Sequence, residues 1–395
     1  MIENGGITRE EFAIRIKKCM SEMERKQIDV VFVYGDSAHP QNLIYMTNYR
    51  PIGTDIPGNS GYNAIFVLEK DGTSTLIIDR EWYFDWAKEE TWVKDIMADD
   101  QGDTLGLSFE LLKMKKLLQG KIEADTGLMP GEVYKRFRKT FHGCKIDEES
   151  RIVAKARETK SKKEIDLLSK GLEILGEAHD AGLAATREGV SEIDIALEIR
   201  RVIMKQGAEF ARALFVDSGP RSTIALASPM STGRKLKKGD MVLVSTFCTY
   251  KKYTSGLDRN WVVGEPSERQ RKLAEIELQT LNKAISLVKP GIKSSDFMKP
   301  VYPDFAEPLL KEAGFLDYNI QGYIGHGSGV HTKETPFLWK WDSTPLKPGM
   351  VIHIEPGIYS KDPNIGGMRT ADTILVTETG CENLTKYPRR IGTLA

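Results

Sequence analysis

Apolar residues fall into recognisable rhythms along this chain. Within Ile7–Lys26, Phe12, Ile14, Ile16, Met20 and Met23 recur at roughly helical spacing, which predicts an amphipathic helix. Ile28–Tyr34 is a short apolar run rich in β-branched residues and predicts a buried strand. Asn63–Leu68 and Ser74–Ile78 read as two more strands, with Lys70-Asp71-Gly72 as the hairpin turn between them. A helix over Leu105–Leu118 leads to a further strand at Lys121–Asp125. This alternation predicts an N-terminal α/β domain.

The pattern changes near Arg151–Lys163, which is charged and poor in bulky residues. The first domain is therefore taken as residues 1–155 and the second as 156–395. Ser161-Lys162-Lys163-Glu164 is a capping-box pattern, and Ile165, Leu168, Leu172 and Leu175 form one stripe of the long helix it starts. A faint internal echo follows. Arg187-Glu188-Gly189-Val190-Ser191-Glu192-Ile193-Asp194 resembles Lys289-Pro290-Gly291-Ile292-Lys293-Ser294-Ser295-Asp296, as in two similar helix junctions or a duplicated α+β half.

Strand geometry sorts the second domain's polar residues, because side chains two apart share a face. Met241–Thr249 groups Ser245 with Phe247, and Lys252–Val263 groups Thr254, Gly256 and Asp258. Val351–Glu355 groups Val351, His353 and Glu355, and Met368–Val376 groups Arg369 with Ala371.

Charge is balanced, with 56 Lys and Arg against 56 Asp and Glu, which argues against a nucleic-acid footprint or a polybasic membrane patch. No apolar run approaches the ~18 residues of a membrane span. Met1–Arg15 is polar, without the apolar stretch of a secretory signal. Cys19, Cys144, Cys248 and Cys381 are scattered and read as reduced thiols. A soluble, cytoplasmic protein is expected.

Three segments carry the chemistry: Gly325-His326-Gly327-Ser328-Gly329, Lys333-Glu334-Thr335-Pro336 and Ile354-Glu355-Pro356-Gly357-Ile358-Tyr359. They resemble the signatures of the pita-bread family of methionine aminopeptidases, prolidases, aminopeptidase P and creatinase. Gln41–Gly53 with Gly61–Leu68 looks like that family's N-terminal creatinase domain. The resemblance implies an α+β fold in which an N-terminal α/β creatinase-like domain precedes a C-terminal pita-bread domain with pseudo-twofold α+β halves.

The family's peptidases hold two metal ions with two Asp, one His and two Glu. By resemblance these positions fall on Ser245, Gly256, His326, Glu355 and Ala371, so only His326 and Glu355 keep their ligands. Catalytic metal sites need about three protein ligands, which leads to the expectation of no metal and no cofactor. Tyr253-Thr254-Ser255-Gly256-Leu257-Asp258-Arg259 looks closest to creatinase, where acids at the positions of Asp258 and Glu355 hold a guanidinium. Creatinase's acid/base His is absent, because Ala225-Leu226-Ala227-Ser228-Pro229 stands in that loop.

The expected function is therefore a metal-independent, creatinase-like hydrolase that cleaves a C–N bond in a small nitrogen-rich substrate: a guanidino compound, an amidine or a cyclic amide. His326, Glu355, Asp258, His353 and Lys333 are its catalytic candidates. Arg369, His331, Tyr62 and Trp339 are its substrate-binding candidates. Two alternatives stand beside it: a Xaa-Pro peptidase with a degenerate metal site, and a non-catalytic peptide-binding protein.

Plainer roles are open for several of these residues. His353 also suits a satisfied core position, Asp258 an ion pair with Arg259, Lys333 a solvated surface, and Trp339 with Trp341 a cap on the core. The resemblance further implies a homodimer acting on a small molecule, with Tyr62 and Asn63 near the partner's pocket.

Overall fold

The computed structural model describes residues 6–51, 62–224, 231–389 and 392–393. The chain divides into two compact units, Met1–Arg157 and Glu158–Ala395.

The first unit is built on a six-stranded sheet. Its strands are β1 (Val30–Asp36), β2 (Asn63–Glu69), β3 (Ser74–Ile78), β4 (Asp95–Ala98), β5 (Lys121–Ala124) and β6 (Lys145–Asp147), in the order β4-β3-β2-β1-β5-β6. β1, β2 and β3 pair antiparallel, with Gly72 at φ 90° in the β2–β3 turn, where a side chain would be strained. The outer pairs are parallel. Val30, Phe32 and Tyr34 alternate onto one face and pack with Leu111, Leu112, Phe137 and Phe141. The first helix runs Arg9–Lys26; Thr8 caps it, and Arg15, Ile16, Cys19 and Met23 are buried on its inner face.

The second unit has three sheets. β7 (Phe210–Ser218), β8 (Met241–Tyr250) and β9 (Tyr253–Val262) form an antiparallel set. Downstream lie β10 (Tyr318–Ile320), β11 (Gly325–Gly327), β12 (Glu334–Phe337), β13 (Val351–Ile354), β14 (Gly357–Ser360), β15 (Gly367–Arg369), β16 (Asp372–Val376), β17 (Cys381–Asn383) and β18 (Gly392–Thr393). They assemble as β18-β9-β8-β7, β12-β11-β13-β16-β17 and β10-β14-β15. Helix Lys162–Ala185 begins at Ser161 with both capping-box bonds made, and its Leu168, Leu172 and Leu175 are buried.

The internal echo is a structural repeat. Gly189 N donates to Leu236 O and Leu236 N to Val190 O, at 2.9 and 2.8 Å. In the other half, Gly291 N donates to Leu346 O and Leu346 N to Ile292 O, at the same distances. Gly239 and Gly349, at φ 87° and 85°, then turn the chain into β8 and β13. Each junction thus delivers a strand to the middle of its sheet. These are the pseudo-twofold α+β halves of a pita-bread domain, preceded by an α/β creatinase-like domain.

The expected strand Met368–Val376 breaks in two. After Arg369 the Thr370 N–H turns to Glu277, and Ala371 N donates to Asp258 O at 3.2 Å. The chain leaves the β14–β15 sheet there and enters the β13–β16 sheet. The break places Arg369 and Asp372 in different sheets.

Candidate active site and metal centre

His326 and His353 are direct partners across the β11–β13 pair, and their rings lie 5.5 Å apart. Glu355 follows β13 by one residue, on the His353 side of the pleat. Asp258 comes from β9 and Arg369 from the end of β15. All five side chains are buried, none more than 2% exposed. Five of the nine residues expected at the site are therefore brought together.

Their contacts alternate in charge. His326 Nε2 lies 3.0 Å from Glu355 Oε1, and Arg369 Nε lies 2.9 Å from Asp258 Oδ2 and 3.7 Å from Glu355 Oε2. His353 Nε2 is 3.8 Å from Asp258 Oδ2. Burial opposes charge on Glu355, but the Arg369 guanidinium is the largest opposing influence and helps hold the carboxyl well below its ordinary range. Burial lowers His326, only partly offset by Glu355, so the ring is neutral near pH 7. Burial also opposes the Arg369 charge, but Asp258, Tyr359 and Glu355 keep the guanidinium firmly ionised.

Phe247 of β8 stacks on His326 at 6.3 Å and meets His353 edge-on at 5.3 Å. Gly256 makes room for it, since a Cβ there would collide with the Phe247 ring. The same alternation that turns Asp258 inward sends Arg259 to the opposite face. Arg259 pairs there with Asp372 at 3.0 Å, so the suggested Asp258–Arg259 ion pair is not made.

Three other expected residues do not enter this cluster. Lys333 is exposed, and its Nζ donates to Tyr323 Oη at 2.8 Å. His331 folds onto its own loop, with Nδ1 3.2 Å from Lys333 O. Trp339 is 39% exposed and packs on Phe337 at 5.7 Å. Tyr62 belongs to the Met1–Arg157 unit, where its ring lies 6.4 Å from Tyr83. The loop Ala225–Pro229 is outside the described residues.

Tyr323 escaped the sequence reading. Its ring lies 6.4 Å from His326, and burial and then Glu355 push its phenol far from ionising. The available signal was its place three residues before His326 in Gly322-Tyr323-Ile324-Gly325-His326. Tyr359 also supports the site: its hydroxyl donates to Gln321 Oε1 at 2.8 Å, and the residue touches Arg369.

A two-unit α+β protein with a buried His–carboxylate–Arg cluster at the meeting of its pseudo-symmetric sheets belongs to the hydrolytic pita-bread class. Residues 166–378 match the profile of metallopeptidase family M24, and residues 15–159 match that of the creatinase/prolidase N-terminal domain. The chain is a member of metallopeptidase family M24 and a hydrolase of that family.

It is 32% identical over 378 residues to the Xaa-Pro dipeptidase of Pyrococcus furiosus, covering 95% of this chain and 99% of that one. The Xaa-Pro dipeptidase of Pyrococcus horikoshii is 30% identical, covering 95% and 98%. The solved Xaa-Pro dipeptidase from Bacillus anthracis superposes with a TM-score of 0.80 at 25% identity, covering 97% and 100%.

These comparisons correct the expected function. The metal-independent, creatinase-like reading is overturned by full-length similarity to Xaa-Pro dipeptidases within a metallopeptidase family, and the prolidase branch fits better than the metal-free creatinase branch. The physical reason lies in the donor set. Counting only Ser245, Gly256, His326, Glu355 and Ala371 overlooked two donors that the fold brings in from neighbouring positions. Asp258, His353 and Glu355 each offer a ligand atom, all within 4.8 Å of one another.

The donors fit a cation. His326 Nδ1 lies 3.0 Å from Gly327 O, which only accepts, so Nδ1 carries the proton and Nε2 a lone pair. That lone pair faces a carboxylate oxygen, an arrangement that calls for a proton or a metal ion between them. Neither atom makes a hydrogen bond of good geometry, nor do His353 Nε2 or either Asp258 oxygen. Buried polar atoms of this kind normally find partners.

Among the described residues, no helix is long and apolar enough to cross a membrane, and Cys19, Cys144, Cys248 and Cys381 are free.

Proposed function

We propose that this chain is a metal-dependent Xaa-Pro dipeptidase, hydrolysing the peptide bond before a C-terminal proline. One observation carries the reading: unpartnered buried donors of Asp258, His326, His353 and Glu355 converge in a chain that follows a Xaa-Pro dipeptidase over 95% of its length. Asp258, His353 and Glu355, with His326 beside them, would hold a divalent ion. Such an ion supplies Lewis-acid polarisation of a carbonyl and acidifies water.

The chain's own groups do the rest. Neutral His326, with Nδ1 committed to Gly327, presents Nε2 to the centre. Glu355 stays ionised and accepts protons only transiently. Tyr323 keeps its phenolic proton and donates a hydrogen bond to oxygen charge developing nearby, while Lys333 fixes its hydroxyl. Phe247 keeps water from one side of both imidazoles.

The test is hydrolysis of Ala-Pro and Met-Pro by protein stripped with chelator and then reloaded with cobalt, manganese or zinc. Cleavage lost on stripping and restored by an ion is expected; no cleavage under any loading overturns the reading. A homodimer and a cytoplasmic location belong to the same proposal, and light scattering tests the first.

A further inference from the structure

The geometry points to a centre that takes one divalent ion, with Arg369 as its second positive charge. The inference rests on the metal-dependent reading above and concerns the number of ions and the residues that hold them.

By resemblance to the family, three positions that would complete a two-ion ligand set carry Ser245, Gly256 and Ala371, none of them a carboxylate. The space in front of Gly256 is already filled by the Phe247 ring. Among the described residues what remains is one tight group of donors, Asp258, His353 and Glu355, with His326 Nε2 3.0 Å from Glu355. Asp258, His353 and Glu355 are at most 2% exposed and have atoms without a hydrogen-bond partner.

Arg369 lies against the same two carboxylates, 2.9 Å from Asp258 and 3.7 Å from Glu355. It is the largest fully buried side chain among the described residues. Charge then limits occupancy. One dication and the guanidinium against two carboxylates leave a single excess positive charge, which one carboxylate of a bound substrate would offset. A second dication would leave three in a buried site, and uncompensated buried charge is strongly unfavourable.

Arg369 is a positioning and charge-compensating residue here. It competes with the ion for Asp258 and Glu355.

The full-length protein, stripped of metal, is titrated with cobalt alone and followed by calorimetry and visible absorption. One ion per chain is expected. His353→Ala and Asp258→Asn should each weaken binding at least ten-fold and change the cobalt spectrum. Arg369→Gln should tighten it several-fold with one ion still bound, and Arg369→Lys should stay near the original affinity.

Two ions per chain, no binding at millimolar cobalt, or unchanged affinity in His353→Ala would each overturn the inference. If Arg369→Gln does not fold, the stoichiometry and the His353 and Asp258 variants still decide. One bound ion without dipeptide cleavage would sink the proposed function and leave this inference standing; two ions with cleavage would do the reverse.

Discussion

His326 Nε2 and Glu355 Oε1 sit 3.0 Å apart, while His326 Nδ1 is committed to Gly327 O. The tautomer follows from the backbone carbonyl, so the lone pair must face the carboxylate. Removing either residue should therefore disable the centre. His326→Ala and Glu355→Gln are each expected to lower kcat on a Xaa-Pro dipeptide roughly 100-fold or more. Steady-state kinetics on metal-loaded protein checks this, and retention of more than a tenth of the rate would contradict the assigned roles.

Arg369 is buried, and Asp258 is its nearest carboxylate. Truncating that partner leaves a guanidinium with less compensation. Asp258→Ala in metal-free protein is expected to lose about 3–5 kcal/mol of stability, the usual range for breaking a buried ion pair. Denaturant unfolding measures it; a loss under about 1 kcal/mol would mean that Glu355 compensates alone.

Gly256 is small because Phe247 lies over it. Gly256→Ala is expected to destabilise the protein by about 1–3 kcal/mol through overpacking and to shift the ring off both imidazoles. Combining it with Phe247→Leu should recover part of the loss, which a double-mutant comparison of unfolding free energies reads directly.

Glu277 and His179 set opposite pH dependences of stability. Burial raises Glu277 from 4.5 to about 8, with the Thr370 hydrogen bonds opposing. A raised carboxyl keeps its proton in the fold while the unfolded chain loses it, so this contribution is present below 4.5 and lost as pH climbs to about 8. Burial lowers His179 from 6.5 to about 3. Its neutral ring is favoured in the fold, so stability falls as pH drops from 6.5 toward 3. Each full proton of difference corresponds to about 1.4 kcal/mol per pH unit. Glu277→Gln should flatten the alkaline side and His179→Gln the acid side of a stability–pH curve; unchanged slopes would refute the assignment.

Tyr323 touches the centre and is held by Lys333. Tyr323→Phe is expected to lower kcat about ten-fold or more with little change in KM, as for loss of a donor to developing charge. Lys333→Ala should cost less, because it acts through Tyr323. An effect confined to KM would make Tyr323 a ground-state contact only.

Local order was largely legible in the sequence. The capping box at Ser161, the strand Ser74–Ile78 and the echoed junctions at Gly189 and Gly291 depend on neighbours within a few residues. The site motifs around His326 and Glu355 were legible through their resemblance to the family's signature segments. Met368–Val376 misled because its alternation looks continuous, whereas Glu277 and Asp258 draw the chain from one sheet into another at Thr370 and Ala371. Asp258 and Arg259 misled as neighbours, since adjacent strand residues face opposite ways.

The amino-acid order by itself determined the local helices, strands and similar junctions, and its resemblance to the family implied non-carboxylates at three ligand positions, Ser245, Gly256 and Ala371. Only the tertiary structure decided that Asp258 converges on His353 and Glu355, that Arg369 lies against both acids, and that Tyr323, bonded by Lys333, lies beside His326. Helix caps and turns are settled over one or two turns of chain. A donor set is settled by which faces of separate sheets meet, and that is a property of packing between segments distant in sequence.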